Sequence, residues 1–259
     1  MPVELRADPS VRGHGRAVYR ASDPDTSRQL ILYDPRFERF LDHLVAHECG
    51  HIARFACASP ADCVVPVLTR VHRRDLARQL LPEIERLIEA GLPEGAVAAV
   101  LPIWLGGTVA QLQNTPADIH IERWLHRTAP GLRGIQERSI ADMALEYHQV
   151  LRPDVQACTP RQLWNASNAM NYAYLNAMSE LLQRPEFIRP YRGTEAERTG
   201  RVLLSALDAV DDVGFVGDRS LSDRWATMLG LDGWLHWKRV DDVTTETRGA
   251  EPRQGGATV

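Results

Sequence analysis

From Asp42 to Ala56 the chain reads DHLVAHECGHIARFA. His47 and His51 stand four residues apart, and residues so spaced on a helix project from one face, one turn above the other. Two imidazole nitrogens placed this way can meet one ion at the ~2 Å typical of zinc–imidazole bonds. Glu48 sits one residue round from His47, where its carboxylate can reach a water on that ion without ligating it. An ion there acidifies the water, and the glutamate can take its proton and pass it to a leaving amine. This HExxH spacing occurs once in the chain. His43, a further turn upstream, falls too far away to share the ion. The competing reading is a core helix whose two histidines serve buried polar groups and hold no metal.

A catalytic zinc takes three protein ligands and keeps one position open. The stretch NTPADIHIERW offers the third. Asp118 and Glu122 are four apart on a second helix and can face one point, while His120 falls on another side. One of the two would ligate and the other would orient a ligating histidine. The spacing does not choose between them. Both have plainer explanations: Thr115 and Asp118 have the spacing of a capping box, and Glu122 could pair at the surface with Arg123 or His126.

His47-Glu48-Cys49-Gly50-His51, followed later by an acidic helix, resembles the zincin metallopeptidases, in particular the glutamate-zincin branch and its uncharacterised bacterial members. The resemblance covers the two motif segments. It implies a zincin-like helical domain in which Glu48 is the general base, His47 and His51 are ligands, and the Asp118/Glu122 helix supplies the third. It also implies one Zn2+ per chain and a bacterial cytoplasmic enzyme that cleaves a peptide or protein substrate, with a regulatory protein partner. The long insertion between the motifs holds two helices and departs from the short spacing of that branch, and the third-histidine extension of metzincins is absent. Peptide deformylases also use HExxH, but with an upstream cysteine in a Gly-rich strand that this chain lacks. The alternative from the same resemblance is a catalytically silent zincin fold that binds peptides or regulates a partner.

Hydrolysis of an amide also needs a donor for the oxyanion that develops on the carbonyl. Tyr147 and His148, in ALEYHQVL, are the first candidates; Tyr172, Tyr174 and His126 follow, all with packing or surface roles as the competing reading. In WNASNAMNYAYLNAM, Asn165, Asn168, Asn171 and Asn176 make a drifting polar stripe on a helix, better suited to tying helices together than to binding peptide. Cys49 points away from both histidines, and Cys57, Cys63 and Cys158 read as buried apolar residues.

The elements around these residues read as mainly α (α+β) with a small N-terminal sheet. Strands are expected at Ala17–Ser22 and at QLILY (29–33), the latter a free edge able to pair with an extended peptide. Asp34-Pro35 opens the motif helix, which runs to about Ala56, with Gly50 leaving a bare patch on it. CASPADCVVP reads as loop. Further helices are expected at 69–90, 96–113 with a break near Gly106-Gly107, 115–127, 132–151, 160–183 after a Thr159 cap, and 195–211. SDRWATMLGL reads as a short helix and WLHWKRV as a strand. Residues 1–243 form one domain, and 244–259 a disordered tail. With 259 residues, 44% apolar and 25% charged, the chain has the balance of a soluble protein. A net charge of −4 without basic blocks argues against nucleic acid. The most apolar run, 95–109, reads as too short and broken to span a membrane. Four cysteines without a CxxC pair, and an N-terminus without a hydrophobic signal core, fit a reduced cytoplasmic protein.

Overall fold

Alternation of Leu and Ile in QLILY gives a strand with three buried residues, and it becomes the centre of a small sheet. In the computed structural model, which describes residues 3–11, 14–18, 29–240 and 242, the first strands are β1 (Val3–Ala7), β2 (Gly15–Val18) and β3 (Gln29–Tyr33). Their order is β1-β3-β2. β1 runs parallel to β3, pairing Val3 with Gln29 and Ala7 with Tyr33, and β2 runs antiparallel, pairing Gly15 with Tyr33 and Val18 with Leu30. The strand expected as a free edge is therefore covered on both sides, and β2 is the edge that meets the motif helix. Residues 19–22, assigned to a strand from sequence, and the 244–259 tail lie outside the described residues.

Asp34 caps the next segment as expected, accepting from the Arg36 N–H at 2.9 Å. A 3-10 stretch (Pro35–Phe40) then leads into α1 (Leu41–Ala56). Leu44 and Ile52 on α1 pack with Ile31 of β3, which fixes the helix against the sheet. After it, β4 (Val64–Pro66), read from sequence as loop, pairs antiparallel with β5 (Trp237–Arg239). The partner strand is far away in sequence, and three residues carry little signal of their own.

Thr69 caps α2 (Arg70–Gln79), accepting from His72 N. The expected single helix from 69 to 90 is broken at Leu80 into α2 and α3 (Leu81–Glu89). Pro82 has no N–H to offer the carbonyl four residues back, so the ladder stops there.

The largest departure is α4 (Glu94–Thr128), one helix of 35 residues where two were expected. Neither Gly106-Gly107 nor Thr115-Pro116 interrupts it. Thr115 is no cap: its Oγ1 donates to the Gln111 carbonyl at 2.7 Å, inside the helix. Burial of Thr115, Pro116 and Ala117 offsets the ~3 kcal/mol that an internal proline costs. Among the described residues α4 is also the one helix long and apolar enough, by length and composition, to cross a membrane.

α5 (Arg133–Val150), the short α6 (Pro153–Ala157), α7 (Arg161–Leu182), α8 (Glu195–Asp208) and α9 (Phe215–Met228) complete a mainly α fold. Thr159 does not cap α7, whose cap position is Pro160; its hydroxyl donates to Val155 O at 2.7 Å. α7 is the central helix, buried almost continuously from Asn168 to Ser179, with Tyr172, Met178, Leu203 and Trp225 in one core. Of its asparagines, Asn171 links helices, accepting from Gln111 of α4 at 2.6 Å; Asn168 donates to Trp164 O at 2.8 Å and Asn176 to Glu180 at 2.9 Å within α7 itself, and Asn165 is exposed. Cys57 and Cys158 are exposed and Cys63 half-buried, contrary to their reading as core residues. All three lie at helix ends or in turns, where small size is enough to be accommodated.

Candidate metal centre

Ile121 on α4 fills the bare patch that Gly50 leaves on α1. A Cβ at Gly50 would stand 2.7 Å from Ile121 Cγ2, so only glycine allows this approach. Ala117, Ile121 and Leu125 form the apolar seam, with Ala46 packed against it. Alongside that seam, the polar stripes of the two helices face each other.

Three atoms converge there. His47 Nε2 and His51 Nε2 are 3.1 Å apart. Asp118 Oδ1 is 2.9 Å from His51 Nε2 and 3.3 Å from His47 Nε2. Ligands about 2.0–2.2 Å from one tetrahedral ion stand roughly 3.3–3.5 Å from each other, so this triangle is the size of a metal site, slightly contracted. Asp118 Oδ1 is buried and makes no hydrogen bond of acceptable geometry. Its neighbours are two imidazole nitrogens that face one another. A cation could satisfy all three, and imidazole with carboxylate is a donor set that zinc accepts.

Glu122 lies one turn further along α4, at 1% exposure. Its Oε1 accepts from His47 Nδ1 at 2.8 Å, on the side of the ring away from the triangle. In the neutral ring that bond favours the proton on Nδ1, leaving the Nε2 lone pair to face Asp118 and His51. By position, Asp118 joins His47 and His51 in one set of three possible ligands, and Glu122 joins His43 and His47 in another.

The charges are strongly coupled. Burial opposes ionisation of Glu122, but His43 and His47 hold its carboxyl far below the usual range. Burial likewise works against Asp118, and the neighbouring His47 and His51 outweigh it and pull its pKa down. Burial also disfavours a charged His47, yet Asp118 and Glu122 outweigh it and raise its pKa well above the ordinary value.

Glu48 is 8% exposed, and its Oε2 accepts the Ala17 N–H of β2 at 2.7 Å. It lines an open cleft of about 710 Å³ together with His47, His51, Asp118, Gln113, Glu146 and Tyr147. Ala17 directs its N–H away from β3 and towards this cleft, as a non-hydrogen-bonded position of an antiparallel pair does.

Tyr147 is at the cleft, its ring edge-on to Tyr174 at 6.1 Å and 72°. Burial raises its pKa, and the Asp118 charge adds to this, so the hydroxyl keeps its proton. His148 is placed elsewhere: its Nε2 bonds the Phe187 carbonyl at 2.8 Å, and the ring leans on Tyr191. Adjacent residues on a helix face about 100° apart, so only one of the pair can look into the cleft. Tyr172 bonds Asn176 at 3.3 Å, and His126 bonds Gln136 Oε1 at 3.1 Å. His120, expected on a different side from Asp118, bonds Asp218 at 3.1 Å beside Arg54.

No family model matches the chain, no curated protein matches its sequence, and no solved structure matches it.

Two residues at the centre escaped the sequence reading. His43 was set aside as too distant from the ion, yet its Nε2 reaches both oxygens of Glu122, at 3.1 and 3.0 Å. Its spacing of four from His47 was the available signal. Gln136 of α5, at 2.7 Å from Glu122 Oε2, carried none.

Proposed function

We propose that this protein is a zinc-dependent hydrolase of peptide bonds. The observation that carries the reading is the convergence of His47 Nε2, His51 Nε2 and Asp118 Oδ1 on one point in the cleft that Glu48 also lines. These three groups would hold the metal. Zinc bound by them supplies Lewis-acid polarisation of a carbonyl and lowers the pKa of a water molecule.

Glu48 does the proton work. The Ala17 N–H holds Oε2, which leaves Oε1 to take a proton from the attacking water and return it to the amine nitrogen as the C–N bond breaks. Tyr147, kept protonated, donates to the oxygen that gains charge. Glu122, bonded to His47 Nδ1, would hold that ring in the tautomer whose Nε2 is free to bind a metal.

Metal analysis of the purified protein, beside His47→Ala and Glu48→Gln, tests this. One zinc per chain is expected in the parent and in Glu48→Gln, and none in His47→Ala. Glu48→Gln should lose ~10²- to 10⁴-fold of peptide hydrolysis while retaining the metal. A parent that binds no zinc would sink the reading. Zinc bound without any change in function on Glu48→Gln would leave a silent, peptide-binding protein instead.

A further inference from the structure

We infer that His43 and Gln136 are positioning residues that act on His47 through Glu122, so that three residues on three helices set the aim of one ligand. The inference rests on the metal reading above. Glu122 is fully buried, and an ionised carboxylate there is costly unless its lone pairs are met. A bond to His47 alone would leave the carboxylate free to turn about its own axis. Three donors prevent that. His47 Nδ1 takes Oε1 at 2.8 Å, His43 Nε2 straddles both oxygens at 3.1 and 3.0 Å, and Gln136 Nε2 takes Oε2 at 2.7 Å.

The same Gln136 nitrogen lies 3.0 Å from the Glu122 carbonyl, so it grips backbone and side chain together. His126 fixes the other end of the amide, its Nδ1 3.1 Å from Gln136 Oε1. The amide orientation is therefore set from both sides. Gln136, at 1% exposure, stands outside the cleft, and His43, at 2%, is a buried part of its wall whose Nε2 is turned to Glu122, so both bear on His47 through that carboxylate. Across the two helices the contacts climb in order. His43 meets Glu122, His47 meets Glu122 and Asp118, and His51 meets Asp118. Three histidines one turn apart are staggered over two carboxylates one turn apart, and the central histidine is held from both sides.

The test is zinc affinity by chelator competition for the full chain and for His43→Met, His43→Gln, Gln136→Met and Glu122→Ala, alone and combined. Melting temperatures of the metal-free proteins are measured alongside. His43→Met and Gln136→Met should each weaken zinc binding by ~10- to 100-fold. His43→Gln, which keeps an N–H near the Nε2 position, should restore affinity to within a fewfold of the parent. On Glu122→Ala, neither change should weaken zinc further, because the route is already cut. A fall in melting temperature with unchanged zinc affinity would overturn the inference and leave packing as the role of both residues. Full additivity on Glu122→Ala would overturn it too. A parent that binds no zinc is a separate outcome, which removes the metal reading and this inference with it.

Discussion

Ile121 occupies the space where Gly50 lacks a side chain, with its Cγ2 2.7 Å from where a Cβ would be. Ile121 is 1% exposed and β-branched, so it cannot swing aside. Gly50→Ala must therefore push α1 and α4 apart. Such overpacking costs ~1–3 kcal/mol. The displacement also separates His51 from Asp118, so zinc affinity should fall together with stability. Urea denaturation with and without zinc measures both. A variant with parent stability and parent affinity would show that the seam yields and that the close approach does not set the site.

Asp118 and Glu122 differ by one helical turn and should fail differently. Asp118→Asn keeps the shape and removes the charge from the three-atom set, so zinc binding should drop by at least ~100-fold, and sub-stoichiometric metal is expected after dialysis. Glu122→Gln keeps one acceptor for His47 and should cost ~10- to 100-fold in affinity with stoichiometric zinc at saturation. Equilibrium dialysis at several zinc concentrations separates the two. The reverse order would make Glu122 the ligand.

The motif helix was legible because its signals are local: Asp34-Pro35 as a start, the apolar period that buries Leu44 and Ile52, and histidines four apart. The pairing of Asp118 with Glu122 was legible for the same reason. What decides their roles is the register of α4 against α1, set by Gly50 and Ile121, and no spacing within either segment reveals it. Thr115-Pro116 misled because Pro at a first helical position and Pro inside a helix look alike in sequence; only burial of both residues shows which applies. His43 needed an answer to which carboxylate stands behind His47 before its spacing meant anything. Gln136 comes from another helix altogether. Arg54, three residues past His51, likewise finds its carboxylate partners, Asp212 and Asp218, on or beside α9, far along the chain.

That arginine binds α1 to α9. Its Nε and Nη2 each lie 2.6 Å from an oxygen of Asp218, and Nη2 also lies 2.6 Å from Asp212 Oδ1. Asp218 is 3% exposed, so Arg54→Met leaves this buried carboxylate with His120 as its remaining charged partner and should cost about 3 kcal/mol. Asp212 carries the acid dependence. Burial alone would raise its pKa, but Arg54 and His120 bring it down to about 2. A depressed carboxylate stabilises the fold above its unfolded pKa, near 3.8, and loses that contribution as pH falls towards 2. Asp212→Asn should therefore flatten stability against pH between about 4 and 2, and change its slope little above pH 5. Asp212 is partly exposed, so the effect is expected to be modest and to shrink in salt. Denaturant titrations across this range at low and high salt check it; an unchanged slope would show that other carboxylates carry the acid limb.

Tyr147 gives the last prediction. Its ring packs on Tyr174 and lines the cleft, so Tyr147→Phe removes the hydroxyl and leaves the packing. If the hydroxyl meets only the developing oxyanion, the loss appears in kcat and kcat/KM alike, with KM little changed. Loss of one such donor typically costs ~10²- to 10³-fold. Zinc content should stay at the parent value, because Tyr147 is outside the three-atom set. His148→Gln supplies the contrast: its ring is bonded to the Phe187 carbonyl, so that change should lower stability and leave kcat near the parent value. Steady-state kinetics on a cleaved peptide, with zinc measured on the same samples, distinguish the two. Equal kcat for Tyr147→Phe and the parent would assign the oxyanion donor to another group and leave Tyr147 as a wall of the cleft.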